Sequence, residues 1–231
     1  MSSREAEKER LRQQRLAREE AEQRAAGRRR RLQLAGGAAV VVAIVAVVVV
    51  LAGRGGHSTS SSTAPAASNL LASTSGEASG QSVDGIRCQS HEQAIFHIHA
   101  HLAVYVNGRA RLIPEGIGIP PPRTVEQTTV GPFVAGGSCF YWLHSHTRDG
   151  IVHIEAPVQR VFTLGDYFDI WKQPLAADRV GSARGRVVAY VDGRTYKGDP
   201  RSIPLKAHHV IQLDVGTPVV PPARFTFPQG L

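Results

Sequence analysis

The stretch FYWLHSHTRDGIVHIEAP runs from Phe140 to Pro157. An alternating, aromatic run from Phe140 to His146 meets a polar turn, Thr147-Arg148-Asp149-Gly150. A second alternating run, Ile151 to Ala156, follows. Asp-Gly closing a short turn between two such runs predicts a β-hairpin. Side chains alternate faces along a strand, so His144 shares a face with His146, and His153 with Glu155. A four-residue loop, Thr147 to Gly150, sets His144 opposite His153. A two-residue Asp149-Gly150 loop sets His146 opposite His153 and His144 opposite Glu155. Either even-length loop gathers three imidazoles and a carboxylate on one face. A three-residue loop would send His153 to the other. Such a face is a site for a metal or a proton, or else a solvated sheet surface that carries histidines.

A second histidine run lies upstream. Phe96 to Gly108, FHIHAHLAVYVNG, has the period of a strand and ends in an Asn-Gly turn. His97, His99 and His101 point one way, and Ile98, Ala100 and Leu102 the other. Along a strand at about 3.3 Å per residue, His97 and His101 lie about 13 Å apart, too far to share one ion easily. A site would therefore take one neighbouring pair from each run. The expected ligands are His99, His101, His144 and His146, with His153 or Glu155 as further ligand or support and His97 as a further candidate. Imidazole suits zinc, copper and nickel alike; Cu or Zn is the expected ion. His91 and the pair His208-His209 rank lower, as surface or internally satisfied histidines.

Around these runs, Thr163 to Trp171 reads as a helix. Thr163 is its N-cap, Asp166 stands three residues on, and Leu164, Tyr167, Phe168 and Trp171 form a core stripe. Arg186 to Tyr196 is another hairpin, turning at Asp192-Gly193, and His208 to Val215 a further strand. The matching VYVNGR and AYVDGR turns hint at a repeat. The segment Ile113 to Pro120, IPEGIGIP, is loop-like, and the Pro-rich end from Pro218 lies across the surface. The fold class expected is α+β: mostly antiparallel strands with one helix, in a β-grasp-like hairpin–helix–hairpin order, with a β-sandwich as the alternative.

The chain has 231 residues and a net charge of +8. Residues 1–34 carry 11 Lys/Arg against 6 Asp/Glu, and the rest carry 16 against 13. The basicity is thus largely N-terminal, which argues against nucleic acid as a partner of the folded part. Ala35 to Ala52 is free of charge, and as a helix it spans about 27 Å against a hydrocarbon core of about 30 Å. Arg28 to Arg31 precede it and Arg54 alone follows closely. The expected topology is therefore a single-pass anchor in the lipid bilayer, with the N-terminus cytoplasmic and the remainder extracytoplasmic. A cleaved signal peptide is the rival, disfavoured by the long segment before the apolar run. The expected organisation is a charged segment 1–34, a transmembrane helix 35–52, a flexible Ser/Thr/Ala/Gly tether 53–82, and a His-rich domain 83–231.

Cys88 and Cys139 both fall in the extracytoplasmic part, where a disulfide is the default. The competing reading makes Cys139 a thiolate ligand near His144, in a His/Cys copper site. The HxH of cupins is followed by a glutamate, whereas Ala103 and Val104 stand here. No nucleophile elbow, P-loop or GxGxxG context is present, so hydrolase and nucleotide-binding readings lack support.

HIHAHLAVYVNG, CFYWLHSHTRDGIVHIEAP and FTLGDYFDIW together resemble a group of uncharacterised membrane-anchored extracytoplasmic proteins of prokaryotes. These share a YWLHTH-type hairpin with a downstream HIE. The likeness covers about Cys88 to Leu231, with Ser145 in place of the expected Thr. It implies an extracytoplasmic location and this histidine arrangement, and it carries no activity. Three functions follow: a domain holding a transition metal, an envelope module that binds a protein partner or has a structural role without metal, or a metal-dependent enzyme with Glu155 as general base. The enzyme reading is the weakest, since no catalytic residue or substrate pocket can be named.

Overall fold

The computed structural model describes residues 69–129 and 131–231. The expected cytoplasmic segment, the apolar run Ala35 to Ala52 and the first part of the tether lie outside the described residues. Among the described residues, no helix is long and apolar enough to cross a membrane.

Period-two alternation builds the main sheet, which has seven strands. Its long central strand, Phe96–Val106, sends Ala100, Leu102 and Val104 to the core. Its neighbour on one side is Ile151–Ala156, antiparallel, and beyond that lies Leu143–His144. Arg109–Arg111 pairs with the far half of the central strand across the Asn107-Gly108 turn. On the other side Val210–Val215 runs parallel to the central strand, followed by the hairpin Val187–Val191 and Arg194–Tyr196. The two tight turns have the positive φ values of the I′ type, 51° and 75° at Asn107-Gly108 and 51° and 76° at Asp192-Gly193. The class is therefore α+β with mostly antiparallel strands, as expected. The parallel pair at the centre joins segments far apart in the chain.

The helix Leu164–Trp171 starts as its sequence dictates. Thr163 and Asp166 form a reciprocal capping box, with Asp166 N donating to Thr163 Oγ1 (3.3 Å) and Thr163 N to Asp166 Oδ2 (2.8 Å). Leu164, Tyr167, Phe168 and Trp171 are fully buried in one core with Leu102, Val104, Val152, Ile154, Ile211 and Leu213. The aromatic stripe is core, as its spacing indicated.

Residues 69–82 correct the expected domain boundary. Leu71 and Ala78 are buried. Leu71 N donates to Leu112 O (2.9 Å), Ala78 N to Ile170 O (2.8 Å), and Trp171 Nε1 to Ser73 O (3.0 Å). A segment this poor in apolar residues cannot bury a core of its own. It can still dock on another's through one leucine, a small alanine and its backbone, and that is what residues 69–82 do. The domain therefore begins by Asn69 rather than at Val83.

Two irregular segments complete the frame. Ile113 to Pro120 lies beside the hairpin and satisfies its backbone: Tyr141 N donates to Gly118 O, and Ser145 N to Ile117 O, both at 2.9 Å. The approach is so close that a Cβ on Gly118 (φ +73°) would sit 2.4 Å from Leu143 O. The C-terminal segment crosses the face opposite the core. There Ala223 N donates to Gln212 Oε1 (2.8 Å) and Val220 N to Asp214 Oδ1 (3.0 Å), so both buried polar side chains on Val210–Val215 are satisfied.

Candidate metal site

The same alternation that fills the core turns His97, His99 and His101 to the opposite face. Register then decides their neighbours. His97 pairs with Glu155, His99 with His153, and His101 with Ile151. On the next strand His144 pairs with His153, the register of the four-residue turn. His153 therefore sits in the middle of the group, with His99 on one side and His144 on the other.

Four ligand-type atoms close into a ring. His97 Nε2 is 3.0 Å from His99 Nε2, and His99 Nε2 is 3.2 Å from His153 Nδ1. Glu155 Oε1 is 3.2 Å from that same His153 Nδ1 and 3.0 Å from His97 Nε2. A tetrahedral ion with bonds of about 2.0–2.1 Å sets its ligand atoms about 3.3–3.4 Å apart. The ring edges fall just inside that spacing.

A second group adjoins the first. His144 Nε2 and His146 Nε2 are 3.1 Å apart. Their other nitrogens are committed, since His144 Nδ1 lies 2.9 Å from Tyr141 O and His146 Nδ1 lies 2.6 Å from Val134 O. A carbonyl oxygen only accepts, so each Nδ1 carries a hydrogen, and the nitrogen left to bind an ion is the inward-facing Nε2. Fixing the tautomer through the other ring nitrogen is how proteins prepare imidazole for a metal. Phe133 lies flat on His146, with ring centroids 4.7 Å apart, and holds the plane of the ring. Glu92 Oε1 completes the group at 3.3 Å from His146 Nε2 and 3.9 Å from His144 Nε2.

Electrostatics favour the metal-ready state. Burial is the largest effect on each shifted imidazole, and neighbouring histidines add to it. Together they push His99 down to about 4, His144 to about 3 and His153 to about 2. These three rings are neutral at pH 7, with lone pairs in place of protons. Three overlapping sets of ligand atoms lie within 4.8 Å of one another: His97, His99, His153 and Glu155; His144, His146 and His153; and Glu92, His144 and Glu155. The buried His/Glu cluster can hold a metal ion.

Of the residues singled out from sequence, His97, His99, His144, His146, His153 and Glu155 come together. His101 does not. Its Nε2 lies 3.0 Å from Asp149 O, and its ring stacks on Phe225 at 3.6 Å between centroids. The pair taken from the central strand is therefore His97 and His99 rather than His99 and His101. The reason is register, since the residue beside His101 is Ile151, while Glu155 and His153 stand beside the other two. Cys139 is not a thiolate ligand, because it is bonded to Cys88 with Cα atoms 5.4 Å apart. The side chains of His91, His208 and His209 contact Ser90, Leu231 and Pro204 and belong to none of the ligand sets. Glu92 went unread in the sequence. It lies on an irregular segment without periodicity, and its only signal was its position between Cys88 and the first histidine strand.

Compared with family models, with curated proteins and with solved structures, the chain matches none of them.

Proposed function

We propose that this protein is a single-pass, membrane-anchored domain that binds a transition metal on the extracytoplasmic side. The observation that carries the reading is the ring of His97 Nε2, His99 Nε2, His153 Nδ1 and Glu155 Oε1, with edges of 3.0 to 3.2 Å. Beside it, His144 and His146 face each other Nε2 to Nε2 at 3.1 Å while each Nδ1 donates to a carbonyl, and a cation relieves the repulsion of the two lone pairs. Three imidazoles and one carboxylate suit Zn(II) or Cu(II) and would serve poorly for calcium or magnesium, which prefer all-oxygen shells. The extracytoplasmic assignment is supported by the charge-free run Ala35 to Ala52 with Arg28 to Arg31 before it, and by the Cys88–Cys139 disulfide. We read the strand order, with first and last strands paired in parallel at the centre and a hairpin outside each, as β-grasp-like.

The test is metal analysis of the detergent-solubilised full chain after loading with Zn(II) and, separately, Cu(II), followed by removal of loosely held ions. The wild-type protein should retain stoichiometric metal, and His153→Ala should lose it. Equal, trace retention by both proteins with both ions would refute the reading.

A further inference from the structure

The cluster holds more ligands than one ion can use. Five imidazoles and two carboxylates face a common region: His97, His99, His144, His146, His153, Glu92 and Glu155. A transition ion in such a donor set takes about four protein ligands, and fewer where a position is left open. The atoms also do not converge on one point. They fall into sets that overlap only through His144, His153 and Glu155, and no set joins His97 and His99 to His146 or Glu92.

From this division we propose that the site is a two-ion centre bridged by the Glu155 carboxylate, an inference that rests on the metal-binding reading above. The first ion is held by His97, His99, His153 and Glu155. The second is held by His144, Glu92 and the same carboxylate, with His146, 3.1 Å from His144 Nε2 and 3.3 Å from Glu92 Oε1, as its further donor. Glu155 Oε1 is placed for this, at 3.0 Å from His97 Nε2, 3.2 Å from His153 Nδ1 and 4.0 Å from His144 Nε2. Paired metal ions in proteins typically stand about 3.5–4 Å apart, a span that one carboxylate bridges. Each ion then has four protein donors and each carboxylate faces a cation.

Both positions border solvent, the first through His97 (44% exposed) and the second through Glu92 (43% exposed), while His144 is fully buried. Glu92 owes its place to the disulfide. Cys88–Gln89 pairs with Phe140–Tyr141, and the Cys88–Cys139 bond fixes that contact four residues before Glu92. Glu92 belongs to the second set and not to the first, so its loss removes the second ion alone.

The experiment loads the detergent-solubilised full chain with Co(II) or Zn(II), removes excess metal, and counts ions per chain. Electron paramagnetic resonance of the Co(II) form reports whether the ions are coupled. Wild type should hold two ions per chain with a coupled Co(II) signal. Glu92→Gln, at an exposed and isosteric position, should hold one, with an uncoupled signal. His97→Gln should weaken retention of the first ion. One ion in wild type, unchanged by Glu92→Gln, would overturn the two-ion centre and leave a single-ion site standing. No retained metal in any form would overturn both.

Discussion

Replacing His153 by leucine separates the cost of holding a neutral imidazole in the sheet from every other effect of the substitution. The side chain is 15% exposed and stands between His99 and His144. Burial, with the charges of His146, His99 and His97 adding to it, pushes its pKa from 6.5 down to about 2. The sign follows from linkage. Below pH 6.5 the unfolded chain takes up a proton at this residue and the folded chain does not, so stability present at pH 7 is lost as pH falls from about 6.5 toward about 2. Between pH 7 and pH 5 the unfolded state gains about 1.5 pH units of protonation free energy, or about 2 kcal/mol. That figure does not depend on how far below 5 the folded pKa lies. Leucine removes this term, while its packing consequences are the same at both pH values and cancel in the difference. Urea unfolding of the metal-free protein, followed through the buried Trp142 and Trp171, measures both. The stability of His153→Leu relative to wild type should be about 2 kcal/mol more favourable at pH 5 than at pH 7. A relative stability independent of pH would refute the claim that His153 is held neutral.

Gly118→Ala would force a Cβ to 2.4 Å from Leu143 O at a left-handed φ. Backbone strain plus two disturbed hydrogen bonds to the hairpin predict a loss of about 3 kcal/mol or more, read as a lower urea midpoint, together with weaker metal retention because His144 moves. Removing the disulfide with paired Cys88→Ser and Cys139→Ser changes should cost about 4 kcal/mol on chain-entropy grounds for a separation of 51 residues, a loss that denaturant titration would detect. Tyr167→Phe deletes the buried 2.7 Å bond to Ser145 Oγ, which keeps its bond to Ile151 O. It should cost about 1 kcal/mol and leave metal retention unchanged, which thermal unfolding and metal analysis would check.

How the site assembles explains what could be read in advance. The hairpin Phe140 to Pro157 declared its turn and its register because both depend on residues a few positions apart, and His144 does stand opposite His153. The helix after Thr163 declared its start in the same way, through Thr163 and Asp166. Long-range choices left no such mark. Nothing local told that Ile151, and not a ligand, would stand beside His101, or that Phe225 from the C-terminal segment would cover that ring. Glu92 sits in a segment with no period at all, and it reaches His146 because Cys88 is bonded to Cys139. Residues 69–82 have the composition of a linker, yet they pack on Leu112 and Ile170.

The amino-acid order by itself determined which face of each strand carries histidine, because alternation is a property of neighbouring residues, and it determined the helix, the tight turns and the disulfide partners. Only the tertiary structure decided which histidines share a ligand atom's reach and which carboxylate joins them. Strand pairing between residues some 50 positions apart is set by how the whole core packs, and a shift of two residues in that pairing would have exchanged His97 for His101.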